Sequence, residues 1–150
     1  MKVVILCGGL GSRLAEETRI IPKPMVKIGK IPIICHIIKI YEYYGYNSFI
    51  LATGYKKEII ESYFKKKTNI KCFFAREKTL TGGRLLRLKK FFKPGENFML
   101  TYGDGLTNQN IKKLENFHQI FNLINKKDIV NYFNKTFKEN FVKGSFLPKK

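Results

Sequence analysis

Four short stretches of the chain place glycine beside groups that could hold a charged ligand. In Gly8-Gly9-Leu10-Gly11-Ser12-Arg13, which follows directly on an apolar run, the glycines let backbone N–H groups approach an anion closely. Arg13 adds a planar cationic fork matched to phosphate oxygens, so the segment reads as a phosphate loop. It is not a Walker A loop, because no Gly-Lys-Ser/Thr follows. As a dinucleotide fingerprint it is poor: the GxGxxG frame from Gly9 ends on Leu14, and Thr53 stands where a ribose would need an acid. In Pro22-Lys23-Pro24-Met25 the prolines fix the backbone, which can hold Lys23 over phosphates as a point charge. Tyr102-Gly103-Asp104-Gly105 offers a carboxylate with room around it, suited to keeping Mg²⁺ against a nucleotide's phosphates. Asp104 is one of two aspartates in the chain, the other being Asp128. Thr79-Leu80-Thr81-Gly82-Gly83-Arg84 could present amides and hydroxyls to a base or ribose, and an ordinary capped helix start explains it equally well. The bland readings of the others are a glycine turn, a solvated loop lysine and an Asp-Gly hairpin. His36 and His118 have no Ser, Cys or acid at a catalytic spacing and read as packing or surface residues.

The elements that must position these groups alternate along the chain. Lys2 to Cys7 is a β-branched apolar run closed by glycines, the pattern of a strand buried on both faces. A polar stretch with Pro22, Pro24 and Pro32 follows, and then Ile34, Ile37, Ile38 and Tyr41 recur at helical spacing from near Pro32 to Gly45. Further on, strands are expected at 48–52, 70–75 and 97–101. Helices are expected through Ile59, Ile60, Tyr63 and Phe64, through Leu85, Leu88, Phe91 and Phe92 as far as Pro94-Gly95, and from Asn108 to about Asn125. This order predicts an α/β fold, a three-layer, doubly wound, mostly parallel sheet of Rossmann-like type, with ligands at the carboxyl ends of its strands. Val3, Val4, Ile5, Ile50, Leu51, Phe73, Met99 and Leu100 are the expected sheet core, and the glycine loop and Asp104 should meet at one edge. Residues 1–125 are read as the nucleotide-binding domain and 126–150 as a divergent tail rich in Lys, Asn and Phe.

Length and composition bound the rest. A chain of 150 residues, 44% hydrophobic and 27% charged, suits one soluble domain and excludes a disordered or coiled-coil whole. Lys and Arg number 29 against 11 Asp and Glu, a formal charge of +18. The excess is spread along the chain and is mostly Lys, so no nucleic-acid partner is expected despite the charge; a compositional bias explains it better. Tyr41, Tyr43, Tyr44 and Tyr46 read as packing aromatics before a base-stacking surface. Cys7, Cys35 and Cys72 form no CxxC pair, which fits a reducing cytoplasm, and Cys7 and Cys72 read as core residues. No run has the length of a signal core or a membrane span, so no membrane partner is expected.

Taken together and in order, LCGGLGSRLAEET, PKPMVKIG, ATGYKKEII, LTGGRLLRL and FMLTYGDG resemble the sugar-1-phosphate nucleotidyltransferases, most nearly the bacterial glucose-1-phosphate cytidylyltransferases. The resemblance runs from residue 1 to about 118 and lapses after His118. It implies that Leu6, Cys7, Gly8, Gly9, Leu10, Gly11, Ser12 and Arg13 surround the base, ribose and phosphates of CTP, that Lys23 contacts a phosphate, and that Thr79, Arg84 and Gly103 lie on the cytidine side. Arg13 and Lys23 become the catalytic cations and Asp104 the Mg²⁺ ligand. The implied reaction transfers CMP from CTP to glucose 1-phosphate, giving CDP-glucose and pyrophosphate, and leaves a homo-oligomer as an open expectation. Two departures stand out: the stretch between Phe64 and Thr81 is shorter than in the family, and its second half, with a sugar pocket and a second metal-binding aspartate, finds no match. The expected fold is therefore incomplete at the C-terminus, with weak CTP·Mg²⁺ binding and little or no turnover. The alternatives are a catalytically inactive nucleotide- or partner-binding paralogue and a basic nucleic-acid-binding protein.

Overall fold

The structure, a computed structural model, describes residues 1–9, 20–76 and 80–123. Strand β1 (Lys2–Cys7) is followed by a 3₁₀ turn (Lys23–Met25), a two-stranded antiparallel hairpin of β2 (Lys27–Ile28) and β3 (Ile31–Pro32), and helix α1 (Ile33–Tyr43). Then come β4 (Phe49–Thr53), α2 (Lys57–Phe64), β5 (Ile70–Phe74), α3 (Thr81–Arg87), a 3₁₀ turn (Lys89–Phe91), β6 (Phe98–Tyr102) and α4 (Ile111–Leu123). Contacts divide the chain into units 1–108 and 109–150; the sheet belongs to the first and α4 to the second. No helix among the described residues is long and apolar enough to cross a membrane.

The four long strands form one parallel sheet in the order β5-β4-β1-β6. The chain winds outward from β1 through β4 to β5, then returns to add β6 on the other side of β1. That reversal makes the carboxyl ends of β1 and β6 the switch point, where a doubly wound sheet opens a crevice.

Side chains alternate across the pleat, so each strand serves two cores. Val4, Leu6, Ile50 and Ala52 form one cluster with Ala75 and Leu88, flanked by Leu85, Phe91 and Phe92, which places α3 and its following turn on that face. On the opposite face Tyr41 of α1 shares a side-chain hydrogen bond with Thr101, and Thr53 donates to Glu61 of α2 at 3.4 Å. Helices thus cover both faces, in the three layers expected. Helix α1 starts where Pro32 requires no backbone donor, and buries Ile34, Ile37, Ile38 and Tyr41.

Six of the eight expected core residues are buried, and two differ. Leu100 is 41% exposed, because it shares its face of the edge strand β6 with Phe98 and Tyr102, which are also exposed. Phe73, on the opposite edge strand, is half-buried against the α3 cluster. Cys72, expected in the core, is half-buried for the same edge-strand reason, while Cys7 is buried. The hairpin β2–β3 was not expected; Gly29 makes its turn at φ +64° and His36 Nε2 lies 3.0 Å from the Ile28 carbonyl. Tyr41 and Tyr46 pack edge to face and are buried, whereas Tyr43 is exposed.

Candidate nucleotide site at the carboxyl edge of the sheet

Parallel pairing of β1 with β6 sets Leu6 opposite Tyr102, so Cys7-Gly8 and Gly103-Asp104 leave the sheet side by side. The Gly103 N–H donates to the Leu6 carbonyl at 2.9 Å, which carries the ladder one residue beyond the strand. A Cβ on Gly103 would lie 2.9 Å from Pro24 Cγ and 3.2 Å from both Cys7 Sγ and the Leu6 oxygen. The missing side chain at 103 is therefore what lets the Pro22–Met25 turn seat on the strand ends.

That turn is built for rigidity. Pro22 caps it in extended conformation, Met25 N–H donates to the Pro22 carbonyl at 2.8 Å and Val26 N–H to the Lys23 carbonyl at 3.1 Å, while Pro24 and Met25 are buried. Only Lys23 of the three turn residues has a reaching side chain. Its Nζ pairs with Asp104 Oδ2 at 2.5 Å, each side chain one-third exposed. Spacing alone did not show that the second and third stretches meet.

The loop after β1 is held from its other side by β4 and α3. A Cβ on Gly54 would fall 2.7 Å from Gly8 Cα and 2.8 Å from its carbonyl oxygen, so the two backbones touch where the strands end. Arg84 Nη2, from α3, donates to the Gly8 carbonyl at 3.0 Å, and its guanidinium fills the space a Gly8 side chain would need. Gly8 is buried and Gly9 exposed.

The Cys7 thiol is buried, donates to the Ile5 carbonyl at 3.4 Å and is pushed above the ordinary thiol range, first by burial and then by Cys72 and Asp104. It stays neutral, leaving its backbone as the part that could face a ligand. Among the expected site residues, Leu6, Cys7, Gly8, Gly9, Lys23, Arg84, Gly103 and Asp104 thus gather around one strand edge. Leu10, Gly11, Ser12, Arg13 and Thr79 lie outside the described residues. In the sequence Gly54 stands out only as part of the ATGYKKEII motif; the signal that could find it is a glycine placed directly after the second long strand.

One hard carboxylate, partly exposed at a strand end, suits a Mg²⁺ ion that takes its remaining ligands from phosphates and water. It does not make an all-protein cage, and no cluster of three or more His, Cys, Asp or Glu that could hold a metal occurs among the described residues.

A family model described as nucleotidyl transferase matches residues 2–133, past the point near His118 where the motifs fade. A protein from Bacillus subtilis named probable glucose-1-phosphate cytidylyltransferase is 43% identical, with 79% of this chain and 56% of the relative covered. The glucose-1-phosphate cytidylyltransferase of Salmonella typhimurium is 38% identical at the same coverage. Among solved structures, HddC from Yersinia pseudotuberculosis complexed with GMP-PN superposes with a TM-score of 0.66 at 30% identity, covering 77% of this chain and 52% of that one. The chain spans just over half the length of the curated relatives it matches.

Proposed function

The chain belongs to the nucleotidyl transferase family, and from that premise we propose that the carboxyl-edge cluster binds CTP for transfer of CMP to glucose 1-phosphate. The observation that carries the nucleotide reading is the convergence of Gly8-Gly9, Lys23 and Gly103-Asp104 at the switch point of a parallel sheet. The choice of CTP and of glucose 1-phosphate rests on relatives 43% and 38% identical that carry that activity in their names.

In this reading the backbone after β1 cradles the triphosphate, Lys23 supplies a positive point charge to its oxygens, and Arg13 adds a second cation on sequence grounds. Asp104 is the ligand for Mg²⁺, which when bound neutralises charge on the phosphates and on the leaving group. An oxygen of the sugar 1-phosphate forms a bond to the α-phosphorus while the bond from that phosphorus to the β-bridging oxygen breaks, and pyrophosphate departs with the electron pair. The chain's own contribution is positioning and charge, with no covalent intermediate on the protein. Arg84 acts on the loop through the Gly8 carbonyl. All three cysteines are free thiols, which supports a cytoplasmic location. The lysine excess finds intramolecular uses: Lys2, Lys56, Lys57 and Lys90 each lie over an aromatic ring, which weakens the case for a polyanion surface.

The test is thermal stabilisation by CTP with Mg²⁺, followed by pyrophosphate release from CTP and glucose 1-phosphate, with Asp104→Ala as the control. Stabilisation by CTP·Mg²⁺ that Asp104→Ala removes is expected. Tight, steeply salt-dependent binding to oligonucleotides without any response to CTP would sink the proposal.

A further inference from the structure

We propose that the Lys23–Asp104 ion pair is a charge latch that couples loading of the triphosphate to loading of the divalent cation. The inference rests on the nucleotide reading above and adds how that site is regulated. The carboxylate offered to the cation is already capped by an ammonium group, and the ammonium offered to the phosphates is already engaged by a carboxylate. Neither group serves its ligand until the other has let go.

The surroundings make the exchange local. Pro22, Pro24 and Met25 are buried and the turn's backbone bonds are closed, so the turn itself stays seated. Asp104 is equally fixed, because Gly103 is tied to the Leu6 carbonyl and packed against Pro24. What can move is the flexible stem of Lys23, one-third exposed together with its partner. A pair in that setting is weak enough for a ligand to open. A cation arriving alone must displace Lys23 Nζ and then remain beside it, charge against like charge. A triphosphate arriving alone meets a lysine whose charge is half spent and a carboxylate of its own sign. When both arrive, Lys23 swings to a phosphate and leaves Asp104 to the cation, and every charge gains an opposite partner. By linkage each ligand then favours the other by the same factor.

A double-mutant cycle in the absence of metal separates this from simple repulsion by Asp104. Wild type, Asp104→Asn, Lys23→Met and the double variant are titrated calorimetrically with CTP in EDTA, and Mn²⁺ binding without nucleotide is followed by electron paramagnetic resonance. The latch predicts that Asp104→Asn binds metal-free CTP about threefold more tightly than wild type, the scale of a part-exposed ion pair, and that most of this gain disappears in the Lys23→Met background. It also predicts that Lys23→Met takes Mn²⁺ about threefold more tightly than wild type, by the same measure. Melting curves check each variant, and Lys23→Gln replaces Lys23→Met if the latter does not fold. An equal gain from Asp104→Asn in both backgrounds, or Mn²⁺ affinity unchanged by Lys23→Met, overturns the latch while leaving the nucleotide site standing. Failure of CTP·Mg²⁺ to stabilise wild type removes the nucleotide reading and the latch together.

Discussion

Replacing Gly54 with alanine should damage the proposed site through the backbone of Gly8. The added methyl would sit 2.7 Å from Gly8 Cα, 2.8 Å from its oxygen and 3.1 Å from its carbonyl carbon. Carbon atoms in contact normally stay about 3.5–4.0 Å apart, so the overlap approaches an ångström, and it falls on backbone with no rotamer to change. Gly8 cannot drift freely, since β1 is paired on both sides and Arg84 Nη2 holds its carbonyl at 3.0 Å. Overpacking of this kind costs about 1–3 kcal/mol, and at this chain length each kcal/mol moves the midpoint by about 2–4 °C, so Tm should fall by roughly 2–12 °C. The displaced strand end leads into the proposed phosphate loop, so on the proposed function CTP·Mg²⁺ should also stabilise the variant less than it does wild type. Differential scanning fluorimetry with and without ligand reads both effects. Two controls bracket the result: a Cβ on Gly9 or Gly82 meets nothing within 4 Å. Gly9→Ala should melt with wild type, and Gly82→Ala, in the first turn of α3, should gain about 0.5–1 kcal/mol from helix propensity. A Gly54→Ala protein that melts and binds like wild type would refute the close crossing of β1 and β4.

Gly103→Ala meets side-chain as well as backbone atoms, with Pro24 Cγ nearest at 2.9 Å, so it should lower Tm less than Gly54→Ala yet weaken CTP·Mg²⁺ stabilisation by tilting the turn that carries Lys23; paired melting curves check the order. Arg84→Ala removes a charged donor from the Gly8 carbonyl and should cost about 1–3 kcal/mol in urea denaturation. The Cys72 thiol is raised to about 11 by burial and by Glu61, against 9.0 in an unperturbed thiol, so the folded state keeps its proton while the unfolded state begins to lose it. That contribution to stability is intact below pH 9 and lost between pH 9 and 11; Cys7, shifted the same way, adds to the decline, and Cys72→Ala should flatten part of it in a pH series of melts. Arg13→Ala should weaken CTP binding more than alanine at Lys65, Lys66 or Lys67, which are exposed, because a paired fork in a loop outweighs a screened surface charge; titration of the four variants decides it.

What the sequence made legible was what periodicity encodes. The β1 run could be read as a doubly buried strand because its β-branched residues never alternate with polar ones, and it is buried from Val3 to Cys7. Helix α1 announced itself through the 34, 37, 38, 41 spacing and the proline before it. Leu100 misled because an apolar run does not say which neighbours a strand has: β6 is last in the sheet order, and the face shared by Phe98, Leu100 and Tyr102 stays exposed. The hairpin of β2 and β3 has two residues in each strand, too few for any period to show. The third helix ends at Arg87 and gives way to a 3₁₀ turn well before Pro94, since leucine and phenylalanine at this spacing suit either geometry. The contact between Lys23 and Asp104 was invisible for a different reason: it depends on which strand lies beside β1, a tertiary fact set by winding order.

Glycine shows most clearly where sequence reasoning stops. Gly29, Gly45 and Gly95 have positive φ, a demand of turn geometry that other residues meet only with strain. Gly8, Gly54 and Gly103 are absent from that set, and what they share is lack of space: Arg84 stands 3.2 Å from the place of one Cβ, Gly8 2.7 Å from the next and Pro24 2.9 Å from the third. Conformational freedom marks the turns, while the strand edge needs glycine for volume, so that β1, β4, α3 and the proline turn can close on one another. A sequence writes both demands with the same letter. The three volume-limited glycines stand at the ends of β1, β4 and β6, and at Gly103 the close approach of the Pro24 turn accompanies the pairing of a cation and a carboxylate from separate elements.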